Sequence, residues 1–314
     1  MITSYLNILV IFAMMFVGYV LTWRKWFDNM AGDMFAKVVL NISLPLNMFL
    51  NMTQKFSKEE FLALFQGVLL PFVSILVTFT ISILYARITK VPVDRRGTFQ
   101  TMFTASNTIF MGLPVNTAVF GERAIPYALL YYICNTTFFF TVGIFMMARD
   151  NQELADVHLT FSWSKFFRKL LSPALLGFMV GIAWLLLELP LPKPLVDFSS
   201  SLGNLTTPLS MFVIGIIIYN TGLKNLKMDK DVFGVLLGRY VISPLIVYGL
   251  SFVIHVPEFM LKVFILQSAM PVQNSVPILA RNYGADEEFA TSGLTYSILS
   301  YFLVILVLLK LLVG

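Results

Sequence analysis

Charge is what these 314 residues have least of: 12% are Asp, Glu, Lys or Arg, about half of the roughly 25% usual in soluble domains. With 58% hydrophobic residues and a mean hydropathy of +0.81, a water-soluble fold of this size is excluded. Cysteine is nearly absent. The one present, Cys134, lies in an apolar stretch with no intrachain partner, which excludes disulfides and a cysteine metal cluster. The two histidines, His158 in a central loop and His255 at a segment end, are too few and too far apart for a metal site. All seventeen acidic residues fall in loops or near segment ends, so no midplane Asp/Glu proton relay is expected. Without paired midplane carboxylates, a metal cluster or a nucleophile beside a base, an intramembrane enzyme has no chemistry to run on. The net charge of +5 rests on basic residues scattered through short loops, which reads as membrane topology and sets nucleic acid aside. No cofactor is expected.

What is present is a series of apolar runs. Each membrane-spanning helix takes about 20 residues, and breaks at charged or Pro/Gly-rich points leave ten spans: 4–22, 34–52, 61–86, 99–119, 125–147, 170–188, 198–219, 232–254, 260–281 and 290–312. The first runs on from Met1 with no basic n-region and no small-residue cleavage site, so it reads as a retained helix. Of the 22 Lys and Arg, six (Lys55, Lys58, Arg123, Lys193, Lys262 and Lys310) fall in loops on one side, Lys37 and Arg239 fall within spans, and the other fourteen fall on the opposite side. Cytoplasmic excess of Lys and Arg sets orientation. Both termini are therefore expected outside the cytoplasm of a multi-pass cell-membrane protein.

The two halves repeat each other. At a constant offset of 163, Val17-Gly18 meets Val180-Gly181, Pro114 meets Pro277, Gly121 meets Gly284, and Asn41, Pro45, Leu46, Met48 and Phe49 meet Asn204, Pro208, Leu209, Met211 and Phe212. Five spans per copy is an odd number, so the second copy enters the bilayer upside down. The expected fold class is an all-α membrane protein of ten helices in two inverted five-helix repeats, 1–147 and 170–314, joined by a cytoplasmic linker, 148–169. Inverted repeats are the architecture of many secondary transporters.

The fourth span of each copy carries polar and helix-breaking residues where uninterrupted apolar helix costs least. The first run is Ser106-Asn107-Thr108 through Pro114, followed by Asn116; the second is Pro271-Val272-Gln273-Asn274-Ser275-Val276-Pro277. Proline removes a backbone donor, and each unpaired backbone group in hydrocarbon costs several kcal/mol unless protein or a wet cavity satisfies it. Interrupted helices at matching positions of two inverted copies point to a midplane binding site, with positive half-helix N-termini suited to an anion. Asn135 is a further cavity candidate. Arg239 lies about eight residues, roughly 12 Å, inside the eighth span, and is expected either to pair with a substrate carboxylate or to snorkel to the cytoplasmic headgroups.

These residues resemble a known family. Asn107-Thr108, Met111-Gly112, Pro114, Ala118 and Phe120-Gly121-Glu122 look like the fourth-helix signature of the auxin efflux carriers, and Ala269-Met270-Pro271 through Val276-Pro277, Ala280 and Tyr283 resemble that family's second crossover helix. Gly18 through Trp23, Trp26-Phe27 and Pro45 resemble its opening helices. The resemblance implies a fold of the bile acid, arsenite and riboflavin transporter type, in which broken helices four and nine cross at mid-membrane at the substrate site. Ser106 stands where plant carriers place the first crossover proline, a departure from the plant pattern. The long central loop of the large plant carriers is missing, and the short loop and compact length favour a bacterial-type organic-anion carrier, of the kind whose bacterial relatives are described as malate or malonate carriers. The expected function is secondary transport of a small organic anion by alternating access, held by Ser106, Asn107, Thr108, Pro114, Asn116, Asn135, Arg239, Pro271, Gln273, Asn274 and Pro277. An anion channel or a sensor on the same fold is the alternative. Partners are the anion and membrane lipid; proton and sodium both stay open as coupling ion, and monomer and homodimer as assembly.

Overall fold

The computed structural model describes residues 2–55, 67–151, 173–222 and 226–312. Among the described residues every regular element is helical, and extended pairing is confined to one bridge, Ser106 with Val272. This follows from the composition: a helix satisfies its backbone within itself, which hydrocarbon demands and water does not. Seven helices are long and apolar enough to cross a membrane: Tyr5–Trp23, Asn29–Gln54, Leu69–Ile88, Glu122–Ala148, Lys193–Thr221, Lys230–Leu250 and Glu287–Leu312. They correspond to the first, second, third, fifth, seventh, eighth and tenth spans read from the sequence. The sixth is described from Pro173 to Leu186. Most of the expected linker, including His158 and all of it from 152 on, lies outside the described residues, as do the starts of the third and sixth spans.

Spans four and nine are of another kind. The first is a helix Arg96–Thr104, an extended break, a π-turn Thr108–Gly112 and a helix Leu113–Phe120. The second is a helix Glu258–Ser268, a break, and a helix Val276–Tyr283. Leu113–Phe120 and Val276–Tyr283 are each eight residues long, each carries proline in its first turn, and each is followed by glycine at positive φ, 77° at Gly121 and 67° at Gly284. Pro277 thus starts a helix, where a missing N–H costs nothing; Pro114 lies inside the stretch that begins at Thr108, directly after its π-turn. Phe16, Leu187, Val253 and Leu303 stand more than half exposed, a surface that hydrocarbon covers and water would penalise.

By packing, the described residues form two compact units that interleave the sequence halves: one holds 2–55, 109–129 and 173–222, the other 67–108, 130–151 and 226–312. In the first unit Ile2–Trp23 packs along Thr206–Thr221, and Pro173–Leu186 along Leu44–Lys55. Both approaches run through a glycine. A Cβ added to Gly18 would stand 2.8 Å from Phe212 Cα, and one added to Gly181 would stand 3.1 Å from the Phe49 carbonyl oxygen. Gly18 and Gly181 are 163 apart, as are Phe49 and Phe212. One contact is therefore made twice, with the halves exchanging roles.

In the second unit, Arg96–Thr104 is wedged against Leu69–Ile88, with Tyr85 stacked on Phe99 at 5.7 Å. Its start is held by Asp150, whose carboxylate accepts from the Gly97 N–H at 2.6 Å and from the Thr98 N–H and hydroxyl at 2.7 Å each. Arg95 beside it pairs with Asp229 at 2.9 Å and with Asp231, fastening the same end to the start of Lys230–Leu237.

Gly18→Val and Gly181→Val should each destabilise the protein by about 1–3 kcal/mol through overpacking, read as lowered thermal unfolding temperatures of detergent-purified protein. Equal tolerance of valine at both would show that the paired approaches are loose. Asp150 gives a pH signature. Burial pushes its carboxyl up to about 6 against the pull of Thr98 and Gly97, so the folded chain binds this proton more tightly than the unfolded one. The sign follows: the contribution of Asp150 is greatest below pH ~4 and declines by on the order of 2 kcal/mol as pH rises through about 6. The unfolding temperature of wild type relative to Asp150→Asn should fall over that window; a difference that grows with pH would refute the assignment.

Candidate functional site

The two breaks meet in the second unit. Ser106 and Val272 form an antiparallel bridge, the Asn107 N–H donates to the Pro271 carbonyl at 2.8 Å, and Asn107 Nδ2 donates to Asn274 Oδ1 at 2.7 Å. A helix that stops in mid-membrane leaves carbonyls at one end and N–H groups at the other, and most of those near the bridge are taken by side chains. Asn135 clamps Ser106 from both sides, its Oδ1 accepting from the Ser106 N–H and its Nδ2 donating to the Ser106 carbonyl, each at 2.9 Å. Ser297 Oγ accepts from the Val272 N–H at 3.0 Å, and Gln267 Nε2 donates to the Thr108 carbonyl at 3.3 Å. Ser106 occupies a break position where a proline would have had no N–H to satisfy; here the N–H is present and Asn135 receives it.

Arg239 is fully buried. It sits in a π-turn, Gly238–Ile242, inside the helix Lys230–Leu250. Its Nε donates to the Met270 carbonyl at 3.1 Å, Nη1 to those of Phe103 at 3.3 Å and Thr104 at 2.5 Å, and Nη2 to that of Ser268. These carbonyls lie at or just past the C-terminal ends of Arg96–Thr104 and Glu258–Ser268. The guanidinium expected to meet a carboxylate or a headgroup is satisfied by backbone instead, and with no exposed surface it does not snorkel.

The second unit thus brings together Ser106, Asn107, Thr108, Asn135, Arg239, Pro271, Gln273, Asn274 and Pro277. Of these Ser106, Asn107 and Thr108 are buried, while Gln273, Asn274 and Ser275 are partly exposed at the start of Val276–Tyr283, which no side chain caps. An open helix start of this kind presents N–H groups and the positive end of the helix dipole. Pro114 and Asn116 belong to the first unit. There Pro114 lines a cavity of about 80 Å³ with Asn47, Thr117, Glu122 and Asn204, beside one of about 150 Å³ that shares Asn47, Glu122 and Asn204. Asn116 Nδ2 donates to the Gly112 carbonyl at 2.7 Å. Ser297 and Gln267, which sequence reasoning missed, lie in runs that read as plain apolar helix; a polar residue facing a break carries no local signature.

Among the described residues no group of three or more His, Cys, Asp or Glu is arranged to hold a metal ion. Asn135→Ala would strand the Ser106 N–H, while the Ser106 carbonyl keeps the Thr108 N–H at 3.0 Å, costing about 1–3 kcal/mol for the buried donor left unpaired. The expected outcome is a lower unfolding temperature for Asn135→Ala and a smaller drop for Asn135→Asp, which keeps the acceptor. Equal drops would show that the Ser106 N–H does not depend on that oxygen.

An uncharacterized transporter of Methanothermobacter thermautotrophicus is 21% identical over 291 residues, covering 91% of each chain. An uncharacterized transporter of Methanocaldococcus jannaschii is 24% identical over 311 residues, covering 93% of this chain and 94% of its own. The profile of the family described as membrane transport protein matches residues 3–309. With nearly its whole length so matched, the chain belongs to this membrane transport family, the auxin efflux carrier type that its fourth- and ninth-span motifs resemble.

Proposed function

We propose that the protein is a secondary carrier for a small organic anion, a mono- or dicarboxylate such as malate or malonate or an auxin-like acid, moved across the cell membrane by alternating access. The observation that carries this reading is the meeting of two broken helices at the Asn107–Asn274 hydrogen bond, beside an uncapped and partly exposed helix start. Neutral amides and N–H groups bind a carboxylate without the desolvation cost of a buried ion pair. Asn107, Gln273 and Asn274 supply donors, and Ser106, Thr108, Asn135, Pro271 and Pro277 shape the breaks. Two inverted copies of one five-helix repeat are supported by the twin eight-residue helices and by the exchanged Gly18–Phe212 and Gly181–Phe49 approaches. In this reading both termini face outward. An anion leaving the cell gains about 2.3 kcal/mol per charge per 100 mV of inside-negative potential, so export runs without a coupling ion and uptake requires a proton or sodium.

The test is counterflow of labelled malonate and malate in proteoliposomes. Saturable, counterflow-stimulated flux is expected, and Asn107→Ala combined with Asn274→Ala should reduce it at least about tenfold, the loss of one hydrogen bond to a charged group. Flux linear in concentration would replace the carrier with a channel, binding without flux would replace it with a sensor, and undiminished flux in the double variant would remove the site.

A further inference from the structure

Four half-helix ends converge where spans four and nine break: the C-terminal ends of Arg96–Thr104 and Glu258–Ser268, and the N-terminal ends of the helical stretches that begin at Thr108 and Val276. A helix end carries about half an elementary charge, negative at the C-terminus and positive at the N-terminus. The four therefore cancel, and a crossover made of backbone alone has no preference for anions. The balance is tipped by a side chain that lies among the negative ends. Arg239 donates to Phe103 and Thr104 at one of them and to Ser268 and Met270 at the other. It is fully buried, and among the described residues no carboxylate is paired with it.

We propose that Arg239 determines the charge selectivity of the carrier without touching its substrate, by neutralising the two C-terminal half-helix ends at the crossover so that the two N-terminal ends act unopposed. The proposal rests on the anion-carrier reading for its transport consequence, but its electrostatic content concerns this chain alone. A guanidinium suits the task because its planar fork reaches several carbonyls at once and stays charged when buried. An ammonium at 239 keeps the charge and loses the fork. A neutral amide leaves the carbonyl ends uncompensated.

Two measurements test it. The first is counterflow of malonate against its neutral analogue malonamide in proteoliposomes. Arg239→Gln should lower the malonate-to-malonamide preference about tenfold through a weakened apparent affinity for malonate, whereas Arg239→Lys should keep the preference while losing rate. A structural role alone would depress both fluxes together and leave the ratio unchanged, which overturns the proposal. The second needs no transport: a thiol introduced by Asn274→Cys, in a Cys134→Ala background, is titrated by its reactivity toward iodoacetamide. With Arg239 present it should ionise below the ordinary cysteine value of about 8.5, and Arg239→Gln should raise it by about one pH unit. If Arg239→Gln fails to fold, the titration with Arg239 intact still decides, since a thiol at or above the ordinary value overturns the proposal. If wild type moves no carboxylate yet the thiol shifts as expected, the carrier reading fails and the electrostatic role of Arg239 stands.

Discussion

Hydrocarbon does not hydrogen-bond, and the rest of the structure depends on that. Wherever the backbone leaves the helix in mid-chain, each N–H and carbonyl set free has to find a partner within the protein. The breaks of spans four and nine are where this demand concentrates, and they meet it mainly from each other and from nearby side chains: Asn107 to Pro271, Ser106 to Asn135, Val272 to Ser297. The polar residues that make these spans look unsuited to a membrane are the ones that allow the helices to be interrupted there. The two prolines do different work: Pro277 sits in the first turn of a new helix, where the lost donor would have been an orphan in any case, while Pro114 follows the π-turn Thr108–Gly112 within a continuous helical stretch.

A repeat in sequence becomes a repeat in contacts only if both copies must solve the same packing problem. Gly18 against Phe212 and Gly181 against Phe49 is one solution used twice, with each half supplying the glycine once and the phenylalanine once. The compact units therefore do not follow the halves: each gathers helices from both. Glycine at these positions follows from the physics of association in lipid, where no hydrophobic force pulls apolar helices together and close van der Waals approach must do so.

Much of this was legible in the sequence because it depends on local chemistry. Apolar run length locates the spans, and the offset of 163 aligns the paired glycines and prolines. Ser106-Asn107-Thr108 and Gln273-Asn274 mark the breaks. What was not legible depends on partners far away along the chain. Arg239 reads as a charge in search of a carboxylate or of water, because nothing in its neighbourhood discloses that the carbonyls of Phe103, Thr104, Ser268 and Met270 will converge on it. Ser297 and Gln267 are single polar residues in apolar helices, indistinguishable in sequence from Ser74 or Thr78, which bond their own helix backbone. Asn116 and Pro114 look equivalent to Asn107 by proximity in sequence, yet they pack in the other unit, because the interrupted span passes from one unit to the other between Thr108 and Ile109.

The proposed site, positively biased at its helix ends and with Arg239 occupied by carbonyls, has a kinetic advantage for a carrier. A direct arginine–carboxylate pair in a low-dielectric interior is strong but must be resolvated at every release, and breaking it leaves an uncompensated buried charge. Carbonyls that hold the arginine permanently remove that step, because the cation keeps its partners whether or not an anion is bound. In the proposed carrier, substrate exchanges water for amide and N–H donors at Gln273, Asn274 and the start of Val276–Tyr283, groups that water satisfies almost equally well. Binding that is nearly isoenergetic with hydration is what lets a ligand enter from one side of a membrane and leave on the other, so in the proposed carrier the placement of Arg239 against backbone favours turnover over affinity.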